Sequence, residues 1–285
     1  MASIAYITDS KMLELHRLNK HKTMNFWRLS NKINFSDFKP GDLVFFLSKD
    51  KEHQNKKEKG IVGFGRLVDI NLASVKSMWN KYGILNGYKN IEEFKEAIIK
   101  VSKDKKLPQK ISSFFLENVV FFQPIYLSEC GMNISSNVES YIYLKPEEVV
   151  SNLLYLAKQS NDLWSNYDDN LDAIEKEEML YALYRTQNKV KDIKINDKEY
   201  KKSNRVMKKY ATENNFRFIN NSNNQLYKVI DKDNLEIVIY HDKDVDIKLI
   251  IGQICLFRKY MNEYYKSINI SFKTNDNQKE ILEIL

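Results

Sequence analysis

The 285-residue chain is 43% hydrophobic and 29% charged, enough length for two modest domains with separate cores and an ordinary balance for a folded protein. It has no run of about 18 apolar residues, which excludes a membrane-spanning helix, and Met1–Ser10 lacks the basic-then-apolar order of a secretory leader, so the expected setting is the cytoplasm. The net charge of +7 suits a polyanionic partner, but only seven of the 45 basic residues are Arg, and charge alone discriminates little.

The first half reads as mixed α/β. A short apolar strand over Ser3–Thr8 leads to a helix over Asp9–Leu18, with Asp9 or Ser10 as its cap. Phe26–Leu29 is a second strand. Pro40-Gly41-Asp42 is a tight turn feeding the strand Leu43–Leu47. Lys49–Lys59 reads as a solvated charged loop, and Gly60–Val68 as a strand whose glycines permit a bend or bulge. Two helices follow, Ser74–Tyr82 and Ile91–Ser102. The strand Val119–Leu127, interrupted at Pro124, and the short strand Tyr141–Leu144 complete this half.

From about Pro146 the pattern is helical. Leu171, Ile174, Met179 and Ala182 share one face of a helix running to about Lys191, and another helix is expected over Ser203–Asn214. Leu226–Ile230 and Leu235–Tyr240 are strands joined by the turn Asp231–Asn234. Ile247, Ile250, Ile254, Phe257 and Met261 form the apolar face of a further helix, and Ile268–Phe272 is a closing strand. The two cysteines, Cys130 and Cys255, have no Cys or His at zinc spacing, and the four histidines form no metal-binding motif.

Residues 1–147 resemble the PUA-like superfamily, which includes the EVE, ASCH and YTH domains. The resemblance is carried by Trp27, by Phe38, Pro40, Gly41 and Asp42 leading into Val44-Phe45-Phe46, by Gly60, Gly63 and Gly65, and by Pro124 and Tyr126. It implies a small curved barrel with helices and a pocket for one nucleobase, often a modified one. A flipped base is held by aromatic stacking and by hydrogen bonds to its edge. Trp27 could supply the ring, Asn25 the amide, and Arg28 and Arg66 contacts to phosphate.

Residues 175–285 are similar to one branch of the PD-(D/E)XK nucleases, with 148–174 as a helical connector. The similarity lies in Leu235–Asp242 followed by Ile247–Ile254 and Phe257–Tyr260, where Gly252, Gln253 and Arg258 match the family's helix. The departures fall on the chemistry. Val238 stands at the Glu position, Tyr240 at the Lys position, and the Asp position falls near Gln225. Magnesium needs several oxygen ligands, and Val and Tyr cannot replace a carboxylate and a lysine. A displaced set, Asp233 with Asp246 and Lys248, is the alternative metal site, and Mg2+ is expected only if it operates.

The expected architecture is α+β, a PUA-like barrel joined to a nuclease-like α/β domain. The expected function is nucleic-acid binding, DNA in preference to RNA, with a base reader and a pseudo-nuclease platform, plausibly in a restriction or phage-defence system. Lys201, Lys202 and Arg205 would add basic surface. A homodimer or a defence-system protein is a further expected partner. The alternatives are an active metal-dependent, modification-directed endonuclease and a protein-interaction module with vestigial folds.

Overall fold

The computed structural model describes the chain apart from residues 1, 32, 34, 53–57, 135–137, 139, 161–166, 191–196, 220–221, 223, 241–246 and 274–285. It is a mixed α+β chain that divides into two units, Met1–Glu177 and Glu178–Leu285.

Unit 1 runs β1 (Ile4–Thr8), α1 (Ser10–Leu18), β2 (Thr23–Arg28), β3 (Leu43–Glu52), β4 (Lys59–Ala73), α2 (Val75–Tyr82), α3 (Ile91–Val101), β5 (Ile111–Ile125), β6 (Tyr141–Tyr143), α4 (Glu147–Gln159) and the start of α5 (Tyr167–Val190). The helix starts follow the sequence closely. Asp9 accepts from Met12 N at 3.0 Å, Ser74 from Ser77 N at 3.2 Å and Asn90 from Glu93 N at 2.8 Å. Each satisfies a backbone N–H that has no partner inside its helix.

The six strands form one sheet in the order β2-β5-β4-β3-β1-β6. Only β1 and β3 pair in parallel. In a flat sheet β2 and β1 would stand roughly 19 Å apart, four strand spacings. Yet the rings of Tyr6 on β1 and Phe26 on β2 have centroids 5.1 Å apart. The sheet is therefore curled until its ends meet through side chains, as in a barrel. Its curvature comes from three register shifts along β4 and β5. At one of them a Cβ on Gly63 would sit 2.4 Å from the Val120 carbonyl oxygen, so that close approach requires glycine.

The interior of the curl holds Phe26, Phe46, Phe114, Leu116 and Val44. Phe45 is equally buried but lies outside that cluster, with its ring against Phe64. β5 begins eight residues before the expected strand start, at Ile111 rather than Val119. Its first half includes Ser112 and Ser113, both fully buried, which hid it from a hydrophobic reading. Pro124 falls within a register shift, between the pairs Gly63–Phe121 and Ile61–Ile125, where a missing N–H is tolerated.

Unit 2 holds the rest of α5, then α6 (Asp197–Asn214), β7 (Arg217–Phe218), β8 (Gln225–Val229), β9 (Asn234–Tyr240), α7 (Ile247–Met261) and β10 (Ser267–Lys273). Its sheet order is β10-β9-β8-β7, with β9 and β10 parallel and joined through α7. The two-residue strand β7 was not expected; at that length it has no periodicity to read. Strand alternation splits β9. Leu235, Ile237 and Ile239 pack with Met179 and Leu183 of α5 and Phe257 and Met261 of α7. Val238 and Tyr240 pack with Leu226 and with Met207 and Ala211 of α6.

Candidate functional site

In unit 1 a cleft of about 590 Å³ opens between α1 and the segment that carries Ile84 to Glu93. Leu15 and Leu18 with Ile84 give it an apolar surface, and Lys11, Glu14, Lys89 and Glu93 line it as well. Lys11 and Glu93 face each other at 3.5 Å, whereas Lys89 has no ion-pair partner among the described residues. The two walls touch at Gly87, which has φ +87; a Cβ there would stand 2.1 Å from Met12 Cγ. Only glycine lets this segment lie so close to α1.

A buried polar layer belongs to the same segment. Asn25 of β2 donates from Nδ2 to Asn86 Oδ1 at 2.8 Å, and Asn86 in turn donates to the Gly83 carbonyl at 2.7 Å. Trp27 lies in an aromatic cluster with Tyr88, Phe94 and Trp79. Its ring centroid is 6.3 Å from Tyr88 and 5.8 Å from Phe94. Three hydrogen-bonding atoms in this layer are buried: Asn25 Oδ1 has no partner among the described residues, whereas Trp27 Nε1 and the Tyr88 hydroxyl meet each other, outside ideal hydrogen-bond geometry but close enough for the indole N–H to act on the phenol oxygen. Each such atom costs roughly 1–3 kcal/mol unless something pairs with it. Burial also raises the Tyr88 pKa, so the hydroxyl keeps its proton and is available as a donor.

Behind the cleft wall, on α1, His16 is fully buried, and its Nδ1 lies 3.0 Å from His21 Nδ1. One ring donates and the other accepts, which requires both to be neutral or only one protonated. Burial, then the neighbouring His21, pushes the His16 pKa down to about 3; burial also lowers His21.

The structure brings only part of the sequence-predicted set together. Asn25 and Trp27 alternate with Arg28 along β2, so they face the α2–α3 side while Arg28 faces the interior of the curl. Arg28 donates to Ser112 Oγ at 2.8 Å, and its guanidinium lies 4.2 Å from the Phe114 ring centroid and 5.0 Å from that of Phe35. Tyr6 and Tyr141, stacked at 5.7 Å, belong to the same cluster. Burial lowers the Arg28 pKa, and the Tyr6 and Tyr141 hydroxyls oppose that. Arg66 is elsewhere again: it forms a bidentate pair with the fully buried Glu177 and donates to the Gly41 carbonyl. Asn118 donates to the same carboxylate at 3.1 Å. In this arrangement the Arg66 guanidinium is engaged within unit 1. Sequence reasoning missed Tyr88, Asn86 and the His16–His21 pair, because each reads as an isolated residue in a helix or loop. Only the Asn-Gly-Tyr run at 86–88, a turn signal beside an aromatic, pointed there.

In unit 2 the register places Gln225 opposite Ile239, on the other face of the sheet from Val238 and Tyr240. The residue paired with Val238 is Leu226. Gln225, Val238, Tyr240 and Gln253 are all buried, and Gln225 Oε1 has no hydrogen-bond partner among the described residues. Asp233 lies in the turn at the start of β9 and bonds Lys266 at 3.1 Å. Lys248 lies on the first turn of α7, which follows the far end of that strand, roughly 20 Å away for seven residues of β-structure. Asp246 lies outside the described residues, and among those described no group of three His, Cys, Asp or Glu could hold a metal. Lys201 and Arg205 are exposed on α6, where Lys202 also lies. No described helix is long and apolar enough to cross a membrane.

No family model and no curated protein matches this chain. Solved structures of one bacterial domain do. The crystal structure of ASCH from Zymomonas mobilis is 15% identical, over 56% of this chain and 97% of that one, with a TM-score of 0.39. Two single-residue variants of the same protein give TM-scores of 0.39 and 0.38 at 15% and 14% identity.

Proposed function

We propose that this protein binds nucleic acid and reads one base in the cleft between α1 and the Ile84–Glu93 segment. The observation that carries this reading is a cleft of about 590 Å³ with one wall, the Ile84–Glu93 segment, that is backed by the buried aromatic and polar layer of Trp27, Tyr88 and Asn25. Ligand pockets span roughly 300–1,000 Å³, and a few well-placed polar groups on an apolar lining are what orient a small planar ligand. In this reading a base entering past the cleft lining reaches the rings of Trp27 and Tyr88, where the Tyr88 hydroxyl offers a donor and Asn25 Oδ1 an acceptor to its edge. Lys11 and Lys89 at the cleft contact phosphate, consistent with the +7 net charge.

The test is equilibrium binding to matched oligonucleotides, DNA first and then RNA, with one cytosine or adenine plain or modified, at physiological salt and without metal. Trp27→Ala should weaken the preferred oligonucleotide tenfold or more while Trp27→Phe recovers part of the loss, since base–aromatic stacking is worth about 1–3 kcal/mol. Equal weakening of preferred and plain oligonucleotides would remove Trp27 from the reader.

The companion reading is that unit 2 is a nuclease-like scaffold without cleavage chemistry. It is supported by the order α6-β7-β8-β9-α7-β10 and by the apolar packing of Val238 and Tyr240, where carboxylate and lysine would be needed. Magnesium- or manganese-dependent nicking that Asp246→Ala abolishes would overturn it.

A further inference from the structure

A second charged surface lies on unit 2, on the side of the sheet away from α6. Lys189, near the end of α5, donates to the Tyr260 hydroxyl at 2.6 Å, and its ammonium lies 4.2 Å from that ring's centroid. Lys259 lies 5.8 Å from the same centroid. Both lysines are exposed, and neither makes an ion pair among the described residues. The charge near this tyrosine is positive: Lys189, then Lys259 and Arg185, draw its pKa down. The carboxylates of Glu178 and Glu263 act on Tyr264, in the turn that follows α7. Lys189 and Lys259 thus hold two ammonium groups beside one aromatic ring, with no carboxylate paired to either among the described residues.

We propose that this α5–α7 face is a contact site for the phosphodiester backbone of nucleic acid, with Lys189 and Lys259 meeting phosphates and Tyr260 holding both lysines in place. A phosphate needs only charge and donors, so this contact carries no base preference. Resting the lysines on the ring restricts them before binding, which lowers the side-chain ordering cost that loose lysines bring to an interface. The site is separate from the base-reading cleft and stands on different residues.

The experiment measures binding of the full chain to a plain, unmodified duplex across a salt series. Lys189→Gln combined with Lys259→Gln is compared with the wild type and with a charge-matched control, Lys103→Gln with Lys106→Gln, at exposed positions in unit 1. Each lost phosphate contact removes about 0.9 from the slope of log affinity against log salt, so the double variant should lose nearly 2 from that slope while the control loses far less. Any preference for a modified over a plain base should stay unchanged in the double variant, which separates this outcome from failure of the base reader. Tyr260→Phe keeps the ring and should retain most of the slope, while Tyr260→Ala should not. Equal slopes for the double variant and the control would overturn the proposal. So would a loss confined to binding of polyglutamate, which would mark an acidic protein as the partner.

Discussion

Acid should destabilise unit 1 through one buried histidine, and the size of the effect follows from its surroundings. His16 is fully buried against His21, and its pKa falls from an ordinary 6.5 to about 3. The folded pKa lies below the unfolded one. His16 therefore costs nothing above pH 6.5, and stability is lost as pH falls from 6.5 towards 3, because only the unfolded chain binds the proton there. The loss approaches about 1.4 kcal/mol per pH unit, giving about 2 kcal/mol at pH 5 relative to pH 8. His21, shifted in the same direction, adds to it. The measurement is urea denaturation at pH 8 and pH 5, followed by tryptophan fluorescence, since Trp27 and Trp79 both report on unit 1. Other titrating groups contribute equally to wild type and to His16→Leu, so the difference between the two isolates the histidine. If His16→Leu loses as much stability between pH 8 and pH 5 as the wild type, His16 is not held neutral and the reasoning fails.

Two further perturbations test how the site is held. Glu177→Gln leaves the Arg66 guanidinium without its buried countercharge and should cost about 3 kcal/mol, whereas Glu177→Leu with Arg66→Met should recover much of that, because apolar replacement of both partners is often close to neutral. A cost under about 1 kcal/mol for Glu177→Gln in thermal or urea unfolding would show that solvent screens the pair. Gly87→Ala must adopt an unfavourable positive φ and push against Met12, including its Cα at 3.2 Å, so side-chain rotation alone gives no relief. A loss of about 2–4 kcal/mol together with weaker oligonucleotide binding is expected; unchanged stability would mean that α1 and the cleft wall do not meet as described.

What the sequence made legible, and what it hid, divides along physical lines. Helix caps at Asp9, Ser74 and Asn90 are local chemistry, a side-chain oxygen three residues from a free N–H, and all three expected helix starts in the first half lie at or beside them. The strand containing Phe45 and Phe46 was legible because apolar runs bounded by a turn need no partner to be recognised. The first half of β5 was not: its buried serines are satisfied by residues distant in sequence, Ser112 by Arg28, 84 residues away, and by the Ser30 carbonyl, and Ser113 by Met78 Sδ. The same distinction governs the site. Trp27 and Asn25 could be singled out one at a time from residue type. Their grouping with Asn86 and Tyr88, and the separation of Arg28 to the other face and of Arg66 to Glu177, depend on strand alternation and on a helical excursion between β4 and β5. A periodicity of two, applied to β2 from the outset, would have predicted that Arg28 cannot share a pocket with Trp27. For the proposed function the decisive question is which side of β2 would face a base, and the two sides differ chemically. The α2–α3 side carries the Tyr88 hydroxyl and, without a partner among the described residues, Asn25 Oδ1, behind the wall of a cleft. The interior side carries a guanidinium packed on aromatic rings. Unpaired polar atoms favour a ligand with a hydrogen-bonding edge, and a packed cation favours none, so the proposed reader is assigned to the Trp27 side.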